Sequence, residues 1–457
     1  MQSFAALRGH PEQDDGRGSR HMRAAAASPA REPAVSTHGL FAILGATTLV
    51  MLATPLASPA MPEIASVFAE HAQTEPFARA VLGAIAFLPG EPNAIFLVKF
   101  ILLSVPALFI IIGAPITGWI SDNVGRKTLL IASLAIFGVA GMSGYFAESF
   151  VFLFTGRAIL GLASAGIKTA TIAMVGDYYG DPERQRILGW QGSATKFGGV
   201  VFMLLGGFLA NFDWRVPFLG YALAFVILPS ALYALGESLP ARSKAEHGGR
   251  AGPGPGAVPL WPCCFVFVSA TIASGLFFIT PVQLPFFLTA SFDASPFQSG
   301  LAIAVGNMVG ALTSLTYHRF KASMNYLAIY AVIFLSMAAG YYVLTLMPSY
   351  DSALIAMLIG GLAFGLYIPN HSSWILTLVG PARRGLGVGL VTTAMFLGQF
   401  LAPILAEPLI DPADPRAVWR GISAILLALA VIYGAISRVA GKPDATGRTI
   451  AKGTSRI

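Results

Sequence analysis

Apolar residues in this chain fall in runs of about twenty, with polar and charged residues gathered between the runs. A bilayer core is crossed by about 20 apolar residues in a helix. Twelve segments meet that length: about 38–62, 95–119, 128–147, 149–175, 187–210, 215–236, 260–284, 296–317, 324–346, 352–378, 386–406 and 418–438. They predict twelve membrane helices, spans one to twelve, in an all-α integral membrane protein. Spans three and four nearly touch around "AES" (147–149).

Composition narrows the class further. Of the 457 residues, 55% are hydrophobic and 11% charged, and mean hydropathy is +0.69. An ordinary soluble domain carries roughly 25% charged residues, so this chain lacks the polar surface for water. The net charge of +7 is spread between apolar segments rather than gathered in one patch. The expected partners are therefore the lipid bilayer and a small-molecule substrate, with no nucleic acid, and the chain is expected to act as a monomer. Cys263 and Cys264 are adjacent inside an apolar run and read as small core residues. No metal-ligand spacing, phosphate-binding loop or catalytic triad stands out, so neither an enzyme nor a bound cofactor or metal is expected. The first apolar run begins too late and runs too long for a cleaved leader. Met22 stays open as an alternative start.

Lysine and arginine set orientation, because they concentrate on the cytoplasmic side. With the N-terminus inside, the inner segments hold Arg126 and Lys127, Arg184 and Arg186, Arg242, Lys244 and Arg250, Arg319 and Lys321, and Arg383 and Arg384. The outer loops hold only Arg79, Arg215, Arg416 and Arg420. Both termini are thus predicted cytoplasmic, in a plasma-membrane protein. Residues 1–37 read as a disordered cytoplasmic tail, 38–236 as a six-helix bundle, 237–259 as a Gly- and Pro-rich cytoplasmic linker, 260–440 as a second six-helix bundle, and 441–457 as a second tail. The halves share traces of repetition: "ERQRILG" (183–189) precedes span five and "ARRGLGVG" (382–389) precedes span eleven. Paired bundles suit a rocking carrier with its site between them.

Between spans two and three stands "GWISDNVGRKTLL" (118–130). It resembles the signature loop of the major facilitator superfamily, through Gly118, Asp122, Gly125, Arg126, Lys127 and Leu130. Asn123 departs from the usual basic residue. "GRAILG" (156–161) matches the family's R-x-x-x-G pattern through Arg157 and Gly161, and "DYYGDPERQRILG" (177–189) its following loop through Asp177, Glu183 and Arg184. The resemblance spans roughly residues 38–440 and implies alternating access driven by a proton or solute gradient. On that footing Asp122, Arg126, Asp177 and Arg184 are expected to form a cytoplasmic latch that holds when the pore opens outward and breaks when it opens inward. Gly118 is expected to let two helices approach closely, and Gly125 to allow a tight turn. The alternative is that these charges only set topology. The equivalent loop of the second half, "TYHRFKASMN" (316–325), has no aspartate.

No Asp or Glu falls in a span interior, whereas Lys99, Arg157, Lys168 and Lys196 do. Such a charge costs about 2.5–3.5 kcal/mol or more and faces protein or a wet cavity. Lys99 lies near the outer end of span two, where it can snorkel to the headgroups. Arg157, Gly161, Ser164 and Lys168 form one stripe of span four. Gly192, Lys196, Gly199, Met203 and Gly206 form another in span five, which turns Lys196 inward on a small-residue surface that packs on protein. Arg157, Lys168 and Lys196 are therefore candidates to bind an anionic substrate. The competing reading pins Arg157 on backbone carbonyls, and the lysines on carbonyls or on Gln191, Asn307, Asn370 or Gln399.

Gln283 in "TPVQLPFF" (280–287), Asn307, Asn370 and His371 complete the set of substrate-lining candidates. Pro281 and Pro285 are expected to break or kink span seven. His371, Lys168 or Lys196 is a candidate proton carrier. "FMLLGG" (202–207) keeps only the final Gly pair of the exporters' span-five motif, and span one has no carboxylate, which weakens a cation-exporter reading. The favoured reading is a secondary transporter for a small organic solute, coupled to protons, with an anion favoured. The alternative is a proton antiporter exporting drugs or hydrophobic metabolites. The segment 66–93 reads as a long outer loop with a short surface helix.

Overall fold

The computed structural model describes residues 36–84, 93–179, 181–236, 259–346, 349–379, 384–411 and 413–439. Residues 1–35 of the first predicted tail, the second tail, most of the linker and Arg242, Lys244, Arg250 and Arg383 lie outside the described residues. The spans are helices at Thr37–Val67, Ala94–Asn123, Arg126–Phe146, Phe150–Tyr178, Arg186–Ala210 and Val216–Ala234 in the first half. In the second half they are Leu260–Phe292, Pro296–Leu315, Tyr326–Leu346, Asp351–Val379, Gly387–Leu409 and Ala417–Val439. Span eight continues into Tyr317–Ser323 across a 56° bend. Large apolar side chains such as Phe208, Val226, Leu312 and Val431 point outward, which costs little in lipid and much in water.

Local chemistry sets the helix ends. Asn93 caps span two by accepting from the Ile95 amide at 2.9 Å. Ser295 and Gln298 form a reciprocal capping box at the start of span eight, with Pro296 in the first turn. Gly125 sits at φ 123°, in the positive-φ region that side-chain-bearing residues avoid, so the signature loop turns there as expected. The segment after span one forms two helices, Ala69–Thr74 and Pro76–Ala84. Between them Glu75 accepts from the Phe150 amide at 2.9 Å, so a loop carboxylate caps span four.

Two proline-rich places behave differently from each other. Span one is interrupted: its helix ends at Leu49, 3-10 turns cover Val50–Ala53 and Ser58–Ala60, and helix resumes at Met61. Span seven instead runs from Leu260 to Phe292 through Pro281 and Pro285 without a break in the helix, so of the two expected outcomes, break or kink, the break does not occur. Pro285 has no amide for the carbonyl four residues back, which is that of Pro281. The Ser58 hydroxyl donates to that carbonyl at 2.6 Å, so the freed acceptor is satisfied by the other half of the molecule. The two cysteines also divide: Cys263 is buried and Cys264 exposed, because adjacent helical residues face about 100° apart.

Within the first half, span four packs on spans two and three, and span one on spans five and six. Within the second half, span nine packs on ten and twelve, eight on ten, and seven on eleven. The halves meet chiefly where span five packs on eight and span two on eleven. Several hydrogen bonds cross this seam. Besides Ser58 to Pro281, Ser104 donates to the Phe400 carbonyl at 2.7 Å, Gln399 to Thr54 at 3.0 Å, and the Phe297 amide to Asn211 at 3.3 Å. All lie between mid-membrane and the face away from the span-one start and span-twelve end. Backbones also close in there: a Cβ on Gly300 would lie 2.7 Å from the Met203 carbonyl oxygen, and one on Gly207 2.8 Å from that of Pro296.

Candidate substrate cavity and the buried cations

A cavity of about 390 Å³ lies between the two halves. On one end it stops at Thr54, Pro281 and Gln399, which belong to the sealed seam; on the other it runs past Ile375 and Val388, near the ends of spans ten and eleven on the face that carries the chain ends. The interruption of span one contributes Val50, Ala53, Thr54 and Pro55 to its wall. Its volume falls in the roughly 300–1,000 Å³ range of small-molecule sites.

Lys168, Lys196 and Asn307 line the cavity, as the sequence predicts. Both lysines are half-buried. Neither ammonium has a hydrogen-bond or ion-pair partner among the described residues; Lys168 Nζ lies over the Phe396 ring at 4.7 Å. The residues of the span-five stripe that carries Lys196 divide between packing and open space. Gly206 does pack tightly, with a Cβ 2.4 Å from the Leu56 carbonyl oxygen, yet Gly192 and Gly199 face open space and Gly199 lines the cavity.

Arg157 is on the same sequence stripe as Lys168 and lies elsewhere. It is fully buried within the first bundle, donating to the Gly141 carbonyl and the Tyr221 hydroxyl, both at 3.0 Å. Tyr221 in turn donates towards the Leu52 and Ala53 carbonyls at 3.3 Å each. The network ties spans one, three, four and six, and a guanidinium with five donors suits such a node. The family pattern's Gly161 has a packing reason, since a Cβ there would lie 2.6 Å from the Pro106 carbonyl oxygen of span two.

Lys99 does not snorkel. It is 2% exposed, donates to Gln283 Oε1 at 2.8 Å and stacks over the Phe286 ring at 4.7 Å. The helix Met61–Val67 packs against Ala94–Lys99, the start of span two. Gln283 is thereby drawn into the sealed seam and does not line the cavity. Glu407 lies in the 3-10 turn that ends span eleven and is buried there. Asn370 donates to the Tyr326 carbonyl at 3.1 Å, and His371 is fully buried beside Tyr367 at a ring distance of 5.6 Å; neither lines the cavity. The lining residues that sequence reasoning missed include five aromatics: Phe277, Phe278, Phe364, Tyr367 and Phe396. Their own spacing gave no signal, because Phe or Tyr occurs on every span.

At the signature loop Arg126 pairs with Asp177 and donates to the Ala173 carbonyl at 3.0 Å. Both partners belong to the first bundle, and the pair is intact although the cavity extends towards this face. Asp122 is exposed and makes no ion pair with any described side chain; Lys127 is half-buried; the Arg184 side chain lies outside the described residues. Gly118 has nothing within 4 Å of a Cβ, so it does not serve the expected close helix approach.

Two helical bundles around a mid-membrane cavity, sealed together on one face, define a membrane transporter. The chain belongs to the Major Facilitator Superfamily, whose family pattern matches residues 43–353 and 266–454. It is 24% identical over 305 residues to Multidrug resistance protein 1 of Bacillus subtilis, covering 66% of this chain and 77% of that protein. It is 22% identical over 350 residues to the quinolone resistance protein NorA of Staphylococcus aureus, covering 73% and 86%. Among solved structures, the fold is similar to the human organic anion transporter MFSD10 (TETRAN) with a TM-score of 0.62 at 18% identity, covering 87% of this chain and 99% of that one. It is also similar to a D-xylose-proton symporter, with a TM-score of 0.65 at 16% identity, covering 86% and 97%.

Proposed function

We propose that this transporter carries a small organic anion across the plasma membrane by alternating access, as a monomer coupled to the proton gradient. The observation that carries the anion is the pair Lys168 and Lys196, both facing a cavity with no Asp, Glu or His among its described lining residues. Unpaired ammoniums in the membrane interior are costly, and a substrate carboxylate or phosphate is the counter-ion that relieves them. With the chain ends cytoplasmic, the described form opens inward and its sealed seam faces outward. Rocking the bundles would break the seam at Ser58, Lys99 and Ser104 and close the opposite end. In this reading the Arg126–Asp177 pair braces spans three and four as one body, leaving Asp122 to meet the second bundle when that end closes. Asp122→Asn is then expected to slow transport without loss of folding; wild-type transport rates in that variant would remove the latch.

The test of the carrier reading is counterflow in proteoliposomes. An internal anion should drive uptake of its labelled form against no net gradient, and imposed ΔpH should change the rate. Labelled flux indifferent to internal solute would mark a channel instead. A second reading, proton-driven export of drugs or hydrophobic metabolites, is supported by the names of the Bacillus and Staphylococcus relatives. Net extrusion of hydrophobic cations from cells expressing the protein would favour it over the anion carrier.

A further inference from the structure

The cavity wall is divided by chemistry along the seam between the bundles. Both charged residues among the described lining, Lys168 and Lys196, come from the first bundle, whose described lining residues include no aromatic ring. Every aromatic ring among the described lining residues comes from the second bundle, whose described lining residues carry no charge. The rings are not scattered. Phe277 stacks on Tyr367 at 4.9 Å with 25° between planes, and meets Phe364 edge-on at 4.6 Å. They form one continuous apolar face opposite the lysines, joined to them at Phe396, whose ring lies under Lys168 Nζ at 4.7 Å.

We infer that the substrate is an amphipathic aromatic anion that lies across the seam, its anionic head on Lys168 and Lys196 and its flat body on the Phe277–Phe364–Tyr367 face. This rests on the anion reading above and adds what the rest of the molecule must be. The physical reason is twofold. Ring faces bind flat apolar bodies by burial and by offset or edge-on stacking, whereas a small hydrophilic anion gains nothing from them and loses its hydration. A ligand held at both ends also touches both bundles at once. Its binding energy is then available to draw the bundles together at the open end, which a ligand held by the first bundle alone cannot supply. The same division explains why neither half of the cavity looks like a complete site.

The test uses the full chain in lipid nanodiscs and four probes: 2-naphthoate, its neutral amide, the 2-naphthylmethylammonium cation and acetate. Naphthoate is expected to bind at least tenfold tighter than each of the others. Lys196→Met should abolish the preference for naphthoate over the amide, and Phe277→Leu the preference for naphthoate over acetate. Acetate binding as tightly as naphthoate would overturn the amphipathic substrate while leaving the anion carrier standing. The amide or the ammonium binding as tightly as naphthoate would overturn the anion reading itself. The ligand series on the unmodified protein decides between these outcomes whether or not the variants fold.

Discussion

Arg157 and Lys196 are both cations within the apolar stretch of a membrane helix, each on a stripe of small residues, and they end in opposite situations. Arg157 is closed in by its own bundle and has acceptors on spans three and six. Lys196 faces the space between bundles and has none among the described residues. Lys99 belongs with Arg157, since Gln283 and Phe286 take it up across the sealed seam. Lys168 belongs with Lys196. A buried charge with partners is part of the fold, and one without them is left for something the fold does not contain.

Breaking the partnered group should cost stability, and most at its best-bonded member. Arg157→Met removes two charge-assisted hydrogen bonds and leaves a carbonyl and a hydroxyl short of a donor, at about 1.5–3 kcal/mol each. It should cut folded yield and lower the thermal midpoint strongly; an unchanged midpoint would remove Arg157 from the structural class. Lys99→Met is next. It breaks one seam hydrogen bond but also removes a desolvated charge, so total stability should move by about 1 kcal/mol or less. The balance between forms should shift instead, with spin labels at the outer ends of spans two and seven reporting more of the separated population. A distance distribution identical to wild type would exclude Lys99 from the seam. Tyr221→Phe should cost about 1 kcal/mol, read in the same melting experiment, because it removes the acceptor for Arg157 and the donor to span one. The smallest stability effects belong to Lys168→Met and Lys196→Met, which should melt at or slightly above the wild-type temperature, since each removes an uncompensated ammonium. A large drop in either would mean that the lysine has a structural partner after all.

The contrast also separates what the sequence could say from what it could not. The spans were legible because bilayer thickness imposes a length of about 20 apolar residues that no packing detail overrides. The turn at Gly125 was legible because few residues adopt its positive φ. The facing of Lys196 was legible only in part, because Gly206 of its stripe packs on span one while Gly192 and Gly199 face open space. Arg157 and Lys168 share that same spacing and diverge, since a stripe gives direction about one axis and not which neighbour waits at that depth. Which helices cross over Lys99, and that Ser58 would satisfy the carbonyl freed by Pro285, depend on contacts 184 and 223 residues apart in sequence. The aromatic face opposite the lysines was hidden for the same reason: it is assembled from spans seven, ten and eleven, and no one of them carries a recognisable motif.

The division of the cations is tested most directly by ligand-induced stabilisation of the wild type beside the Lys168→Met, Lys196→Met double variant. A ligand at a hundred times its Kd stabilises the form it binds by about 2.7 kcal/mol. With 2-naphthoate the wild-type midpoint should rise, and the double variant, folded at least as stably without ligand, should show no rise at the same concentration. An equal rise in both would contradict the assignment of these two lysines to the substrate.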